Sequence, residues 1–171
     1  GYGGDATRRA RFLAEIIRAC KEKAGADYPV WCRINGQEFG VEGGLAIEDA
    51  QVAARLAQAA GADAIHVSAF GYGADAMVNM PGVEGRLLTL AEAIKKVVSV
   101  PVIAVGRITP ELGEEVLRQG RADLIAIARA LLADPELPNK AAEGRFDDIA
   151  PCINCLKCVE SVVFQGRELV C

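Results

Sequence analysis

VPVIAVGRITPELGEEVLRQGRADLIAI, residues 100–127, holds one complete strand–helix–strand unit. Val100-Pro-Val-Ile-Ala-Val105 is a short, nearly unbroken apolar run, the pattern of a strand buried on both faces. Pro110 to Gln119 reads as a helix. Thr109 is the expected N-cap, Pro110 occupies the first helical position, where its missing N–H costs nothing, and Gly120 marks the stop. Ala122-Asp-Leu-Ile-Ala-Ile127 is the next strand. The alternation continues outward in both directions. Thr7 to Lys23 carries apolar residues at helical spacing (Ala10, Leu13, Ile16, Ile17, Cys20), and Pro29 to Ile34 is a short β-rich run. Ile47 to Ala60 is helical, with Val52, Leu56 and Ala59 near one face and Gly61 as its stop. Ala62 to Ser68 is a strand, Ala69 to Arg86 a long loop and Leu88 to Val98 a helix. Short helices are expected near Ala130–Ala133 and over Leu137–Glu143. Strand–helix repeats of this length predict a parallel sheet with right-handed crossovers. Four strands do not close a barrel. No GxGxxG follows any strand, which weighs against the doubly wound dinucleotide-binding alternative.

The 171 residues are 51% hydrophobic and 25% charged, the composition of a globular domain with a sizeable core. Scarce aromatics and abundant Ala, Val, Ile and Leu suit helices packed closely on buried strands. A net charge of −4 gives no reason to expect a nucleic-acid or anionic-membrane partner. No apolar run approaches the roughly 20 residues needed to span a bilayer. Residues 1–11 are polar and glycine-rich, so no secretory leader is expected. Gly1-Tyr-Gly-Gly4 opens directly into a helix with no strand before it, and a missing upstream part is therefore expected.

Four of the six cysteines, Cys152, Cys155, Cys158 and Cys171, fall in the last 20 residues. Bunched cysteines beside an ample core favour metal ligation in a reducing compartment over a disulfide framework, and the expected location is cytoplasmic. Thiolates are soft ligands, and CxxCxxC with a distant fourth cysteine is a spacing that converges on iron–sulfur cores. A four-cysteine zinc site is the alternative, although zinc ribbons pair CxxC with CxxC. Cys20 and Cys32 stand apart, on a helix face and a strand, and are expected to be buried.

Several segments, in order, resemble the old yellow enzyme family of flavin oxidoreductases. They are Tyr2-Gly3-Gly4 with Arg9, Arg11 and Phe12, the strand with Arg33, Glu42-Gly-Gly-Leu45, Ile65-His-Val-Ser68, Pro101 to Ile108, Ala122 to Pro135, Pro138-Asn-Lys140 and Cys152-Ile-Asn-Cys155. The cysteine motif places the chain nearest the branch of 2,4-dienoyl-CoA reductase, enoate reductase and trimethylamine dehydrogenase, whose members carry FMN and a 4Fe-4S cluster. The resemblance covers essentially the whole chain. It implies the C-terminal half, about strands five to eight, of a TIM (β/α)8 barrel, with residues 1–149 as the FMN-binding portion and 150–171 as an iron–sulfur tail. Two departures stand out. The family often has glycine before the strand-eight arginine, where this chain has Ala128. The reductase pattern separates its second and third cysteines by three residues, where this chain has two, Leu156 and Lys157, so Cys158 comes one position early.

Phosphate in such barrels is often bound by the loops after strands seven and eight. Those positions hold Gly106 and Arg107, then Ala128 and Arg129. Gly106 lets backbone N–H groups approach an anion, and Arg129 stands at the start of a short helix. By the resemblance these residues hold the FMN phosphate. Arg33 lies within a strand, where its charge needs an anion or an acceptor. The resemblance places it at flavin N1 and the C2 carbonyl, and an inter-strand salt bridge is the alternative. His66, the only histidine, is expected to be a hydrogen-bonded barrel residue and not a catalyst. Dienoyl-CoA reductases carry a catalytic histidine in the loop after this strand. The loop here has none, and Tyr72 is the candidate proton donor in its place. Asn79 and Met80 are candidate pocket residues.

The function implied is a fragment of an FMN-dependent, iron–sulfur oxidoreductase. It would reduce activated C=C bonds of the 2-enoate or 2,4-dienoyl-CoA type in a small-molecule substrate, with electrons from NAD(P)H arriving through a further, FAD- or nucleotide-binding domain. The first half-barrel and that C-terminal nucleotide domain are the expected partners, and the chain by itself is expected to be inactive. Three alternatives stay open: a demethylating amine dehydrogenase of the same family, another flavin barrel of the dihydroorotate dehydrogenase type, which the cysteine tail disfavours, and a non-catalytic α/β module. The last would bind a metal cluster or a phosphorylated ligand, its open sheet edges covered by self-association.

Overall fold

The computed structural model describes residues 1–72 and 83–171. The expected candidates Asn79 and Met80 lie outside the described residues. The chain divides into two compact units, Gly1–Ala126 and Ile127–Cys171. The expected functional division at 149/150 therefore falls inside the second unit.

In the first unit the elements alternate: α1 (Ala6–Ala24), β1 (Trp31–Phe39), α2 (Ile47–Ala59), β2 (Ala64–Gly71), α3 (Leu88–Lys95), β3 (Val102–Ala104), α4 (Pro110–Arg118) and β4 (Leu124–Ile125). All pairings are parallel, and the strands lie in sequence order, β1-β2-β3-β4. A doubly wound sheet reverses direction at a switch point. This sheet does not, and it has the singly wound topology of a (β/α)8 barrel, as expected. Its four strands correspond to half of the barrel's eight.

One face of the sheet carries the core. Cys32, Ile65, Val67, Ala69, Val102 and Ala104 point from it and are all buried. They join Ala14 and Ile17 of α1, Ala50, Ala54 and Ala57 of α2, Leu88, Leu90, Ala91 and Ile94 of α3, and Val116 of α4. The small residues on α2 let that helix approach closely. The face expected from Val52, Leu56 and Ala59 is therefore rotated: Val52 and Leu56 are half-buried and Ala59 is exposed. The α1 stripe likewise runs through Ala10, Ala14 and Ile17. Its next position is Lys21, whose ammonium donates to the carbonyls of Ala26 and Tyr28 and to Asp63. Cys20 stands off this stripe and is exposed, contrary to expectation, whereas Cys32 is buried as expected.

The opposite face of the sheet has a different character. Register aligns Arg33 with His66, His66 with Ile103, and Ile103 with Leu124. Trp31, Phe70 and Leu124 share this face, at 62%, 43% and 49% exposure. Parallel strands feed their loops to the edge where their C-termini lie, so residues 105–107 follow directly from the C-terminal end of β3.

The second unit holds α5 (Arg129–Ala133), α6 (Leu137–Ala142), a 3₁₀ turn at Phe146–Asp148, α7 (Lys157–Val159) and a π-helical turn at Glu160–Phe164. No described helix is long and apolar enough to cross a membrane.

Candidate functional site

The loop after β3 is built from both ends. Ile108 is buried at 4% exposure, and Thr109 caps α4 by accepting the N–H of Leu112 at 3.3 Å. Between them and the strand, Gly106 has φ +125° and Arg107 φ +50°. Gly106 is buried, and a Cβ there would lie 3.1 Å from both Cβ and Cγ of Leu87. Glycine is therefore required twice, by the backbone and by the space. The Arg107 carbonyl accepts the N–H of Gly85 at 3.1 Å. These ties hold consecutive positive-φ residues directly at the C-terminal end of a parallel strand. Backbone turned in this way presents N–H groups to an anion.

On the open face, Arg33 Nη2 donates to Ser68 Oγ at 2.8 Å. Ser68 is buried, so the hydroxyl anchors one end of a guanidinium whose other donors have no partner among the described residues. No carboxylate pairs with Arg33 among the described residues, and the inter-strand salt bridge is not formed. His66 departs from expectation. Its Nε2 is buried and has no hydrogen-bond partner among the described residues. Burial first, and the Arg33 charge second, hold the imidazole below its ordinary pKa, so the neutral ring is favoured. Tyr72 is 68% exposed, and its N–H donates to the Phe39 carbonyl at 3.0 Å.

In the second unit, α5 begins at Arg129, with Ala128 as an N-cap that supplies no side-chain hydrogen bond. Five residues make little more than one turn, so the side-chain charge of Arg129 matters more here than the helix end. Arg129 Nη1 donates to Asn154 Oδ1, between the first two tail cysteines. Asp134 is buried at 5% exposure. Its Oδ2 accepts from Lys140 Nζ at 2.6 Å and from the N–H of Ala150 at 2.9 Å. Its Oδ1 accepts the N–H of Glu136 at 3.0 Å. The Lys140 bond, and then the Ala150 bond, lower the Asp134 pKa. Residue 150 is thereby fixed two positions before Cys152. The sequence pattern hides this anchor, because Asp134 and Lys140 are six apart and on different helical turns. The only cue is an Asp-Pro followed by a lysine.

All four tail cysteines are free thiols. Cys152 and Cys158 are half-buried, and Cys155 and Cys171 are exposed. Asn154 and Leu156, on either side of Cys155, have φ +58° and +59°. Asparagine takes this region at low cost, but leucine there is strained, and such strained residues collect at functional sites. A π-helical turn, another frequent companion of such sites, follows directly at Glu160–Phe164. Among the described residues, no three of His, Cys, Asp and Glu are gathered to hold a metal ion. The donor set, four soft sulfur atoms with the chain reversed on both sides of Cys155, fits an iron–sulfur cluster in its chemistry.

The NADH:flavin oxidoreductase / NADH oxidase family model matches residues 1–148. The chain is 45% identical to the NADH oxidase of Thermoanaerobacter brockii over 99% of its own length and 27% of that protein's. It is 36% identical to the cinnamate reductase of Clostridium sporogenes, over 90% of this chain and 26% of that one. Among solved structures, 2-naphthoyl-CoA reductase in complex with 2-naphthoyl-CoA superposes with TM-score 0.87 at 31% identity, covering 99% of this chain and 26% of that one. Histamine dehydrogenase from Rhizobium sp. 4-9 gives 0.85 at 27% identity, covering 99% and 24%. The chain thus spans about a quarter of the length of these relatives. With the family model matched along residues 1–148 and the singly wound parallel sheet in place, the chain belongs to the NADH:flavin oxidoreductase / NADH oxidase family of oxidoreductases.

Proposed function

We propose that this chain forms the flavin-phosphate and iron–sulfur end of an FMN-dependent reductase acting on activated C=C bonds, with NAD(P)H as electron source. The observation that carries the proposal is the Gly106–Arg107 pair. Two consecutive positive-φ residues are pinned at the C-terminal end of β3, where barrels of this kind bind phosphate. Gly106 and Arg107 of the first unit are candidate ligands of the FMN phosphate, and Ala128 and Arg129 of the second unit are candidates by their position after β4. Arg33, steadied by Ser68, offers positive charge to the electron-rich side of the flavin ring. The neutral His66 beside it adds no second charge to that face. Cys152, Cys155, Cys158 and Cys171 ligate a 4Fe-4S cluster. When bound, FMN supplies hydride transfer and the cluster single-electron transfer. Tyr72 is proposed as a proton donor, its hydroxyl on an exposed residue at the end of β2. Similarity to the cinnamate reductase and to 2-naphthoyl-CoA reductase favours an unsaturated acid or thioester as substrate, and similarity to the histamine dehydrogenase keeps an amine as the second reading.

The test is iron, acid-labile sulfide and FMN per chain on protein prepared without oxygen, beside Cys158→Ser. About four iron and four sulfide, lost in the variant, are expected together with FMN uptake. Zinc without sulfide would turn the tail into a structural staple, and absence of FMN uptake would remove the flavin assignment.

A further inference from the structure

We propose that Asn154 is a positioning residue that couples flavin-phosphate binding to the cysteine loop. The inference rests on the FMN and iron–sulfur reading above and adds to it a residue that belongs to neither set of ligands. Asn154 lies between Cys152 and Cys155 and serves two purposes with different parts of its structure. Its backbone, at φ +58°, reverses the chain between the two thiols. Asparagine is among the few non-glycine residues that take this conformation at low cost. Its side-chain oxygen accepts from Arg129 Nη1.

The guanidinium of Arg129 has five N–H donors, and one engaged by Asn154 leaves the others for an anion. A long, free arginine side chain loses rotamer entropy when it closes on a ligand. An arginine already held by Asn154 has lost part of that freedom, so phosphate binds more tightly. The same bond works in the other direction. The segment that carries Asn154 is fixed at residue 150 by Asp134, whose Oδ2 takes the Ala150 N–H at 2.9 Å. Arg129 and Asp134 lie on the same short stretch of chain, and between them they hold residues 150 and 154 at two points. Ligation of Cys152 and Cys155 orders Asn154, and through it Arg129. By linkage, FMN then strengthens cluster retention by the same factor by which the cluster strengthens FMN binding.

The backbone and side-chain roles separate by substitution. Asn154→Gly keeps the left-handed turn and removes the acceptor. Asn154→Ala removes the acceptor and also disfavours the turn. Both are compared with the wild-type chain, reconstituted with iron and sulfide without oxygen. Iron per chain is measured, with Kd for FMN and for riboflavin, which lacks the phosphate. In Asn154→Gly, FMN should bind about tenfold more weakly, as for loss of a hydrogen bond to a charged group. Riboflavin affinity and the iron content of flavin-free protein should be unchanged, added FMN should no longer slow iron loss, and Asn154→Ala should lose iron even without flavin. Unchanged FMN affinity in Asn154→Gly, or an equal loss for both flavins, would overturn the side-chain role. Equal iron in all three proteins would overturn the backbone role. A wild-type chain that takes up neither FMN nor iron would bring down the function proposed above, and this inference with it, before any variant is compared.

Discussion

Gly106→Ala is the substitution for which the structure makes the most specific demand. Two costs add. At φ +125° an L-residue sits in a sparsely populated region, which costs about 1–3 kcal/mol. The new Cβ would also lie 3.1 Å from Cβ and Cγ of Leu87 and 3.3 Å from its Cδ1. Leu87 is only 2% exposed, so it has little room to withdraw, and overpacking of this kind costs about 1–3 kcal/mol. The expected loss is about 2–6 kcal/mol. Urea denaturation of the wild type, Gly106→Ala, Leu87→Ala and the double variant measures both parts. Leu87→Ala alone should cost about 2–5 kcal/mol through its cavity, and it also provides the space that the added methyl group needs. The double variant should therefore fall short of additivity by about 1–3 kcal/mol. A Gly106→Ala loss below about 0.5 kcal/mol, the size of an ordinary surface change, would refute the reasoning as a whole. A large loss with strict additivity would refute the steric half and leave the backbone half.

His66 and Thr109 give two further expectations. The imidazole of His66 is held below its ordinary pKa of 6.5 by burial and by Arg33, so the unfolded chain binds the proton more readily than the folded one. Its contribution to stability is present above pH 6.5 and is lost as pH falls through that value toward the folded pKa. The urea midpoint should fall between about pH 7 and about pH 5.5, and His66→Gln should flatten the decline; a wild-type midpoint that rises over this range would contradict the burial argument. Thr109→Ala removes the acceptor for the Leu112 N–H and should cost about 1 kcal/mol, with Thr109→Ser close to wild type. Thermal unfolding of the three proteins checks this, and an equal loss in the serine variant would point away from the cap.

Much of the architecture is legible from local signals. The α4 boundaries follow from Thr109, Pro110 and Gly120, each acting on its own backbone, and the observed helix, Pro110–Arg118, stops one residue short of expectation. The strands are less legible because their ends depend on neighbours. The run expected to stop at Ile34 continues to Phe39. Gly36, Gln37 and Glu38 have little β-propensity, but pairing with β2 carries them through a register shift between Asn35 and Glu38. Glu38 then exchanges hydrogen bonds with the backbone of Leu45, which extends the ordered chain. β4 shrinks to Leu124–Ile125, since among the described residues it pairs only with β3, which itself has three residues.

The sequence by itself determined the alternation of strand and helix, the parallel sheet, the bunching of four cysteines and the arginines after the last two strands. These follow from residue types and spacings that act over a few positions of chain. Only the tertiary structure decided which small residues of α2 meet the core, that Cys20 is exposed, and that the His66 Nε2 is without a partner among the described residues. It alone brought Asp134 to the Ala150 N–H and Arg129 to Asn154. Such contacts join residues 16 and 25 positions apart, and no local periodicity encodes them. They arise when the chain folds back and each buried or charged group must find a partner.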